Sequence, residues 1–122
     1  MSSVSVVSLP HSILVVRLTG EFDVSNADEV ATALDKAIAD PASRTVAVDL
    51  SEVTFLDSTL LQALVTGRDR AQLVHKPVWL VRPPAAAWRV FAATLLDRLF
   101  RDFASLAELE AYAAATLTKL SA

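Results

Sequence analysis

Residues 46–64 read VAVDLSEVTFLDSTLLQAL, and the period of the pattern changes in the middle. Over 44–50 (RTVAVDL), Val46, Val48 and Leu50 point one way and Thr45, Ala47 and Asp49 the other. That alternation predicts a strand with one well-buried face and one more polar face. From about 58 to 74, Leu61, Leu64, Val65 and Ala71 recur at helical spacing, which predicts a helix with an apolar side. The residues between them, SEVTFLD, read as the connecting loop, 51–58. A strand handed on to a helix in this way is half of a β-α-β unit, and it sets the fold class.

Working outward, SVSVVSL and SILVVRLTG are β-branched runs separated by Pro10 and His11. They predict a hairpin or edge strand leading into a longer strand that closes at Gly20. EFDVS reads as a loop, with Ser25 opening a helix and Asp28 three residues on in capping-box spacing. Val30, Leu34 and Ile38 line one face of that helix, which ends near Asp40-Pro41. Beyond the central stretch, PVWLV (77–81) is a short strand, and Pro84 suits the first turn of a third helix over roughly 85–96. LFRDF holds a short last strand, and Ser105 with Glu108 forms the clearest capping box in the chain. The order predicts an α/β domain: a mostly parallel sheet of four to five strands, an antiparallel N-terminal edge strand, and about four helices. In such domains function collects on loops after the carboxyl ends of strands, here 20–25 and 51–58.

Composition fits one packed domain over 1–122. Apolar residues make up 53% of the chain and charged residues 20%, so extensive disorder is excluded. A net charge of −3 gives no general attraction to nucleic acid or anionic lipid. The absence of cysteine removes disulfides and thiolate metal sites. The N-terminus lacks the basic and apolar regions of a secretory signal, and the longest aliphatic stretch, Ile13 to Val16, is far too short to span a membrane. A cytoplasmic location is therefore expected.

Asp57, Ser58 and Thr59 stand where the second helix begins. Their plainest use is capping, since Asp and Ser oxygens satisfy free amides for about 1 kcal/mol each. The same geometry suits a phosphorylated hydroxyl, because a helix N-terminus attracts phosphate through its amides and dipole. Asp57 opposes that charge. Cap and phosphosite both remain open on these residues alone.

The stretch 46–64 resembles the signature of the STAS family, the bacterial anti-sigma factor antagonists. There a strand ending in Asp-Leu-Ser leads to an apolar-aromatic pair, then Asp-Ser-Ser or Asp-Ser-Thr, Gly and Leu. LTGEFDVSNADEV (18–30) is similar to the family's Gly-Glu-Leu-Asp loop and first helix. RVFAATLLDRLF (89–100) and FASLAELEAY resemble its third and last helices. The resemblance implies a non-enzymatic, cofactor-free binding module that captures an anti-sigma factor of the serine/threonine kinase type and so frees a sigma factor in a stress response. Phosphorylation breaks the complex and a phosphatase restores it; ATP and magnesium belong to the kinase. Carried over by position, Thr59 is the phosphoacceptor, with Ser58 the second choice. Asp57, Ser58, Glu21, Asp23 and Leu60 would form the partner surface around it. Two positions depart from the family: Leu60 and Leu95 stand where glycine is usual. Leu60 would add bulk beside Thr59, obstructing a kinase or serving another partner, and Leu95 would prolong or redirect the third helix. The Leu60 departure favours an alternative, a constitutive STAS subunit of a lipid-transport ATPase or stress-sensing assembly.

The other candidates are weaker. His11 and His75 lie in unrelated elements without ligand spacing, and a hydrolase using Ser58 or Thr59 would lack a base within hydrogen-bond reach. Trp79 and Trp88 read as core residues, and Arg68, Arg70, Arg98 and Arg101 as a solvated face.

Overall fold

In a computed structural model, which describes residues 1–94 and 96–120, the chain forms one five-stranded sheet. In chain order the elements are β1 (Ser3–Leu9), β2 (Ile13–Phe22), α1 (Ala27–Ala39), β3 (Thr45–Leu56), α2 (Ser58–Leu73), β4 (Val78–Val81), α3 (Ala85–Ala93), a 3₁₀ turn (Leu96–Leu99), β5 (Arg101–Phe103) and α4 (Leu106–Leu120). The strands lie side by side in chain order; β1 runs antiparallel to β2 and every later pairing is parallel. The expected α/β class, antiparallel edge strand and four helices are all present.

Strands added in one direction by right-handed crossovers carry their helices over one face. Accordingly α1, α2 and α3 share a core with one side of the sheet: Val30, Leu34, Leu64 and Phe91 pack with Leu14, Val16, Val48 and Leu80. The helix α4 covers part of the other side, where Leu109 and Ala113 meet Ile13, Val15, Ala47 and Trp79. This second layer corrects the expected polar face of β3. Thr45, Ala47 and Asp49 are buried like Val46, Val48 and Leu50, and Ala47 packs in the cluster that α4 closes on this side of the sheet.

The central correction concerns β3, which runs six residues past Leu50 and reduces the expected 51–58 loop to Asp57. Two register shifts against β2 explain the difference. Arg17 pairs with Asp49 but Thr19 with Glu52, and Gly20 pairs with Val53 but Glu21 with Phe55, so β3 carries an extra residue at each shift. Leu50, Val53 and Leu56 consequently face the same core at intervals of three, which period-two alternation does not reveal. At the first shift the Asp49 carboxylate accepts hydrogen bonds from the Ser51 amide (3.0 Å) and hydroxyl (2.7 Å), and it faces Arg17 at 3.5 Å. The Asp-Leu-Ser triplet thus anchors the bulge by satisfying polar groups the ladder leaves over.

Smaller differences follow from local chemistry. Gly20 does not close β2; it lies inside the strand at φ +99°, a conformation that side chains rarely adopt, and the strand continues to Phe22. The Ser25–Asp28 capping box does not form, because Ser25 bonds to Asp23 instead and α1 begins after Asn26. The third helix ends at Ala93, short of 96, with Pro84 at its N-cap position; Leu95 lies outside the described residues. The last capping box survives in altered form: Glu108 N–H donates to Ser105 Oγ (3.2 Å), while the Glu108 carboxylate accepts from Ala104 N–H. Among the described residues no helix is long and apolar enough to cross a membrane.

At the far end of α2, His75 takes a left-handed conformation (φ 59°). Its amide donates to the Gln72 carbonyl (3.1 Å) and the Lys76 amide to the Ala71 carbonyl (3.0 Å), the paired bonds of a Schellman cap that usually holds glycine. Replacing His75 with Gly should raise stability by about 0.5–1 kcal/mol, the left-handed strain less the extra entropy of an unfolded glycine. Urea unfolding checks this; a lower midpoint would show that the imidazole makes a compensating interaction.

Candidate partner-binding site

The carboxyl ends of β2 and β3 lie together, since Glu21 pairs with Phe55 and Phe22 with Leu56. The 23–26 loop after β2 and the start of α2 after β3 are therefore brought to one edge of the domain. Asp57 leaves β3 with extended backbone (φ −123°, ψ −174°) and caps α2. Its Oδ1 accepts from Thr59 N–H at 2.9 Å and from Leu60 N–H at 3.4 Å, and its carbonyl accepts from Leu61 N–H at 3.3 Å. The capping reading is correct, and it has a chemical consequence. The amides that would attract a phosphate already hold a carboxylate, so a phosphoryl group on Thr59 would not be drawn down onto the helix end.

Ser58 is exposed and Thr59 half-buried, and neither hydroxyl has a hydrogen-bond partner among the described residues. Leu60, by contrast, is fully buried in the core shared by the three helices. The expectation that its side chain adds bulk to the surface beside Thr59 is therefore corrected. Successive helix residues are turned by about 100°, and the turn that exposes Ser58 and half-exposes Thr59 directs Leu60 inward.

The neighbouring loop is tied by its own side chains. Asp23 Oδ1 accepts from Ser25 N–H (2.9 Å) and Ser25 Oγ–H (2.6 Å), and Asn26 Oδ1 accepts from Asp23 N–H (2.9 Å). The Asn26 amide group then donates to the Glu21 carbonyl (2.8 Å) and to Ser2 Oγ (3.0 Å), fixing the loop to β2 and to the N-terminal segment. The Ser25 hydroxyl, and after it the Ser25 amide, hold the Asp23 carboxyl below its ordinary value, so it is ionised at neutral pH. Glu21 is exposed on the adjoining strand. This edge of the domain thus carries the carboxylates of Glu21, Asp23 and Asp57.

Two apolar side chains at this edge escape a reading of the sequence alone. Val24 is 77% exposed at the tip of the 23–26 loop, and Phe55 is 49% exposed on β3 just before the cap. Both would offer apolar contact area to a protein docking at this edge. Reading 51–58 as a loop conceals Phe55; once β3 is extended, the bulge turns it away from the core. The histidines are remote from this edge. His11 lies in the β1–β2 turn at the opposite end of β2, and His75 follows α2, whose sixteen residues span about 24 Å.

A family model described as "Mlab, STAS domain" matches residues 5–107. Among solved structures, the chain is similar to an anti-sigma factor antagonist from Mycobacterium paratuberculosis, with 25% identity, 88% of this chain and 90% of that one covered, and a TM-score of 0.78. It is similar in fold to the anti-sigma factor antagonist SpoIIAA in its unphosphorylated form (18% identity, 88% and 94% covered, TM-score 0.74), a protein whose structure in the phosphorylated form, from Bacillus, also matches at 0.67. A sulfate transporter family protein from Wolinella succinogenes shares the fold at 16% identity, 90% and 91% covered, with a TM-score of 0.78. With the matched segment spanning most of the sheet and its helices, the chain belongs to the STAS-domain family.

Proposed function

We propose that this domain is an anti-sigma factor antagonist, a cytoplasmic, non-enzymatic module that binds an anti-sigma factor kinase and is released by phosphorylation of Thr59. The observation that carries this reading is the Asp57 cap: it holds the start of α2 in place while leaving the adjacent hydroxyls unengaged at a surface bearing Val24 and Phe55. The similarity to an antagonist at 25% identity supports it.

The unmodified surface docks through Phe55 and Val24, with Glu21, Asp23 and Asp57 setting orientation. In the transfer step Thr59 Oγ1 attacks the γ-phosphorus of the kinase's ATP; an O–P bond forms, the bond to the ADP oxygen breaks, and the hydroxyl proton passes to a base of the kinase. The product adds about −1.5 to −2 charges at neutral pH, beside a carboxylate that already occupies the helix amides. With the Thr59 and Leu60 amides already held by the Asp57 carboxylate, the phosphate repels Asp57 and an apolar or acidic partner surface. A penalty of about 1–3 kcal/mol weakens binding roughly tenfold to a hundredfold. A phosphatase that hydrolyses the ester restores the complex. Ser58, more exposed, is the second acceptor.

The test is incubation with cognate anti-sigma kinases and ATP, comparing wild type, Thr59→Ala and Ser58→Ala by intact mass. One phosphoryl group on wild type and Ser58→Ala, and none on Thr59→Ala, is expected; equal labelling of all three removes Thr59 from the mechanism. A second reading is a constitutive subunit of a lipid-transport ATPase or stress-signalling assembly, and the equally good fold match to a transporter-family protein is what favours it. Capture of a transporter ATPase with no kinase in the same eluate would establish that reading in place of the first. The Leu60 departure no longer argues for it, because that side chain is in the core.

A further inference from the structure

The two edges of the sheet are unlike. The outer strand β5 has three residues, and Arg101 and Asp102 place charge on it. Short length and charge are the usual devices that keep a sheet edge from pairing with another chain. The other outer strand, β1, has neither. It runs for seven residues, SVSVVSL, with no charge, proline or glycine, and it pairs with β2 from Ser3 to Leu9 without a bulge. Val6 is 52% exposed and Val7 38% exposed. One side of every such strand carries amide and carbonyl groups that β2 does not satisfy.

Beside this edge runs an open groove of about 660 Å³, between β1 and the outward flank of α1. Its floor is apolar, formed by Val4, Val6 and Leu14, and its rim on α1 carries Asp28, Glu29 and Lys36, with Asp40 beyond. A strand added to β1 would find both hydrogen-bonding groups along the edge and a shelf under α1 for its side chains. These features are independent of the site at the start of α2.

The pattern of β1 identifies the strand that fits. We propose that β1 pairs antiparallel with β1 of a second copy of this chain, about a two-fold axis through Val6. In that register Val6 faces its own counterpart, Val4 faces Ser8, Ser5 faces Val7 and Ser3 faces Leu9, so no charge is buried and every pair combines serine or aliphatic residues. Symmetry also makes the contact self-closing, giving a dimer with a continuous ten-stranded sheet rather than a fibre. The same axis runs the two α1 helices antiparallel on one face. It directs the acidic first turn of one, Asp28 and Glu29, toward the Lys36 end of the other.

Sedimentation of the wild-type chain in the micromolar range should give twice the 13.1 kDa chain mass. Val6→Lys would set like charges opposite each other at the axis and should give a monomer with unchanged circular dichroism, because the position is half exposed, and with a thermal midpoint that no longer depends on protein concentration. Because the chain has no cysteine, Val6→Cys offers a direct test of register. Directly opposed residues of paired strands lie within disulfide range, so mild oxidation should link two copies through residue 6. A monomeric wild type, a Val6→Lys protein that stays dimeric, or a dimer in which Val6→Cys does not cross-link would overturn the proposal. The last result would assign dimerisation to another surface.

Discussion

Leu60→Gly should destabilise the domain by about 3–6 kcal/mol while leaving the phosphorylation rate of folded protein at Thr59 unchanged. The first part follows from burial. Leu60 is wholly inaccessible and lies in the core shared by the three helices, so truncating it loses about 2–5 kcal/mol, as for other buried leucines. Glycine in place of alanine within a helix adds about 1 kcal/mol. Against a typical domain stability of about 5–15 kcal/mol the loss is a large fraction of the total. The second part follows from direction, since the side chain points into the core and a kinase approaching Thr59 does not meet it. Urea unfolding measures the first. Initial labelling rates of Leu60→Ala, the milder variant that keeps more of the fold, measure the second. A labelling rate that rises severalfold on truncation would show that Leu60 reaches the kinase.

Gly67→Val is expected to cost about 3 kcal/mol, although valine is the better helix former. Gly67 is buried on α2 where that helix crosses α1, and a Cβ built there would collide with Leu34 Cδ2 and come within 2.9 Å of its Cγ. Leu34 is fully buried in the core shared by the three helices. Even alanine forces Leu34 or the helix to move, and overpacking of this kind costs about 1–3 kcal/mol against a helix-propensity gain of about 1 kcal/mol. Valine adds two methyl groups at the same crossing. The double variant Gly67→Val with Leu34→Ala should recover part of the loss, because the second change removes the atoms in the way. Calorimetric unfolding of the two single variants and the double variant decides it; strictly additive losses would mean that the steric argument is wrong.

Much of this architecture is legible in the chain because its signals are local. The Val30, Leu34 and Ile38 row locates α1, the Val46–Leu50 alternation locates β3, and Pro84 and Ser105 mark two helix starts. What escapes depends on non-local facts. The extension of β3 to Leu56 rests on bulges, which exist only in register with β2 and change the apolar spacing from two to three. The second buried face, where Ala47 packs with Leu109 and Ala113, depends on α4, about sixty residues further on, folding over it. Ser25 reads as a cap because its spacing to Asp28 fits one, yet Asp23 competes for the same groups and Asn26 takes the position. At the site, Asp57, Ser58 and Thr59 are legible because capping is encoded within a single helical turn. The inward direction of Leu60 and the exposure of Phe55 depend on which way α2 and β3 face the rest of the fold.

The most direct measurement is titration calorimetry of the cognate anti-sigma factor into three forms of the domain: unmodified, stoichiometrically phosphorylated on Thr59, and Thr59→Ala. Tight binding of the unmodified and Thr59→Ala proteins, with affinity for the phosphorylated form lower by roughly tenfold to a hundredfold, is the expected result. Equal affinity for the phosphorylated and unmodified forms would contradict a switch at Thr59.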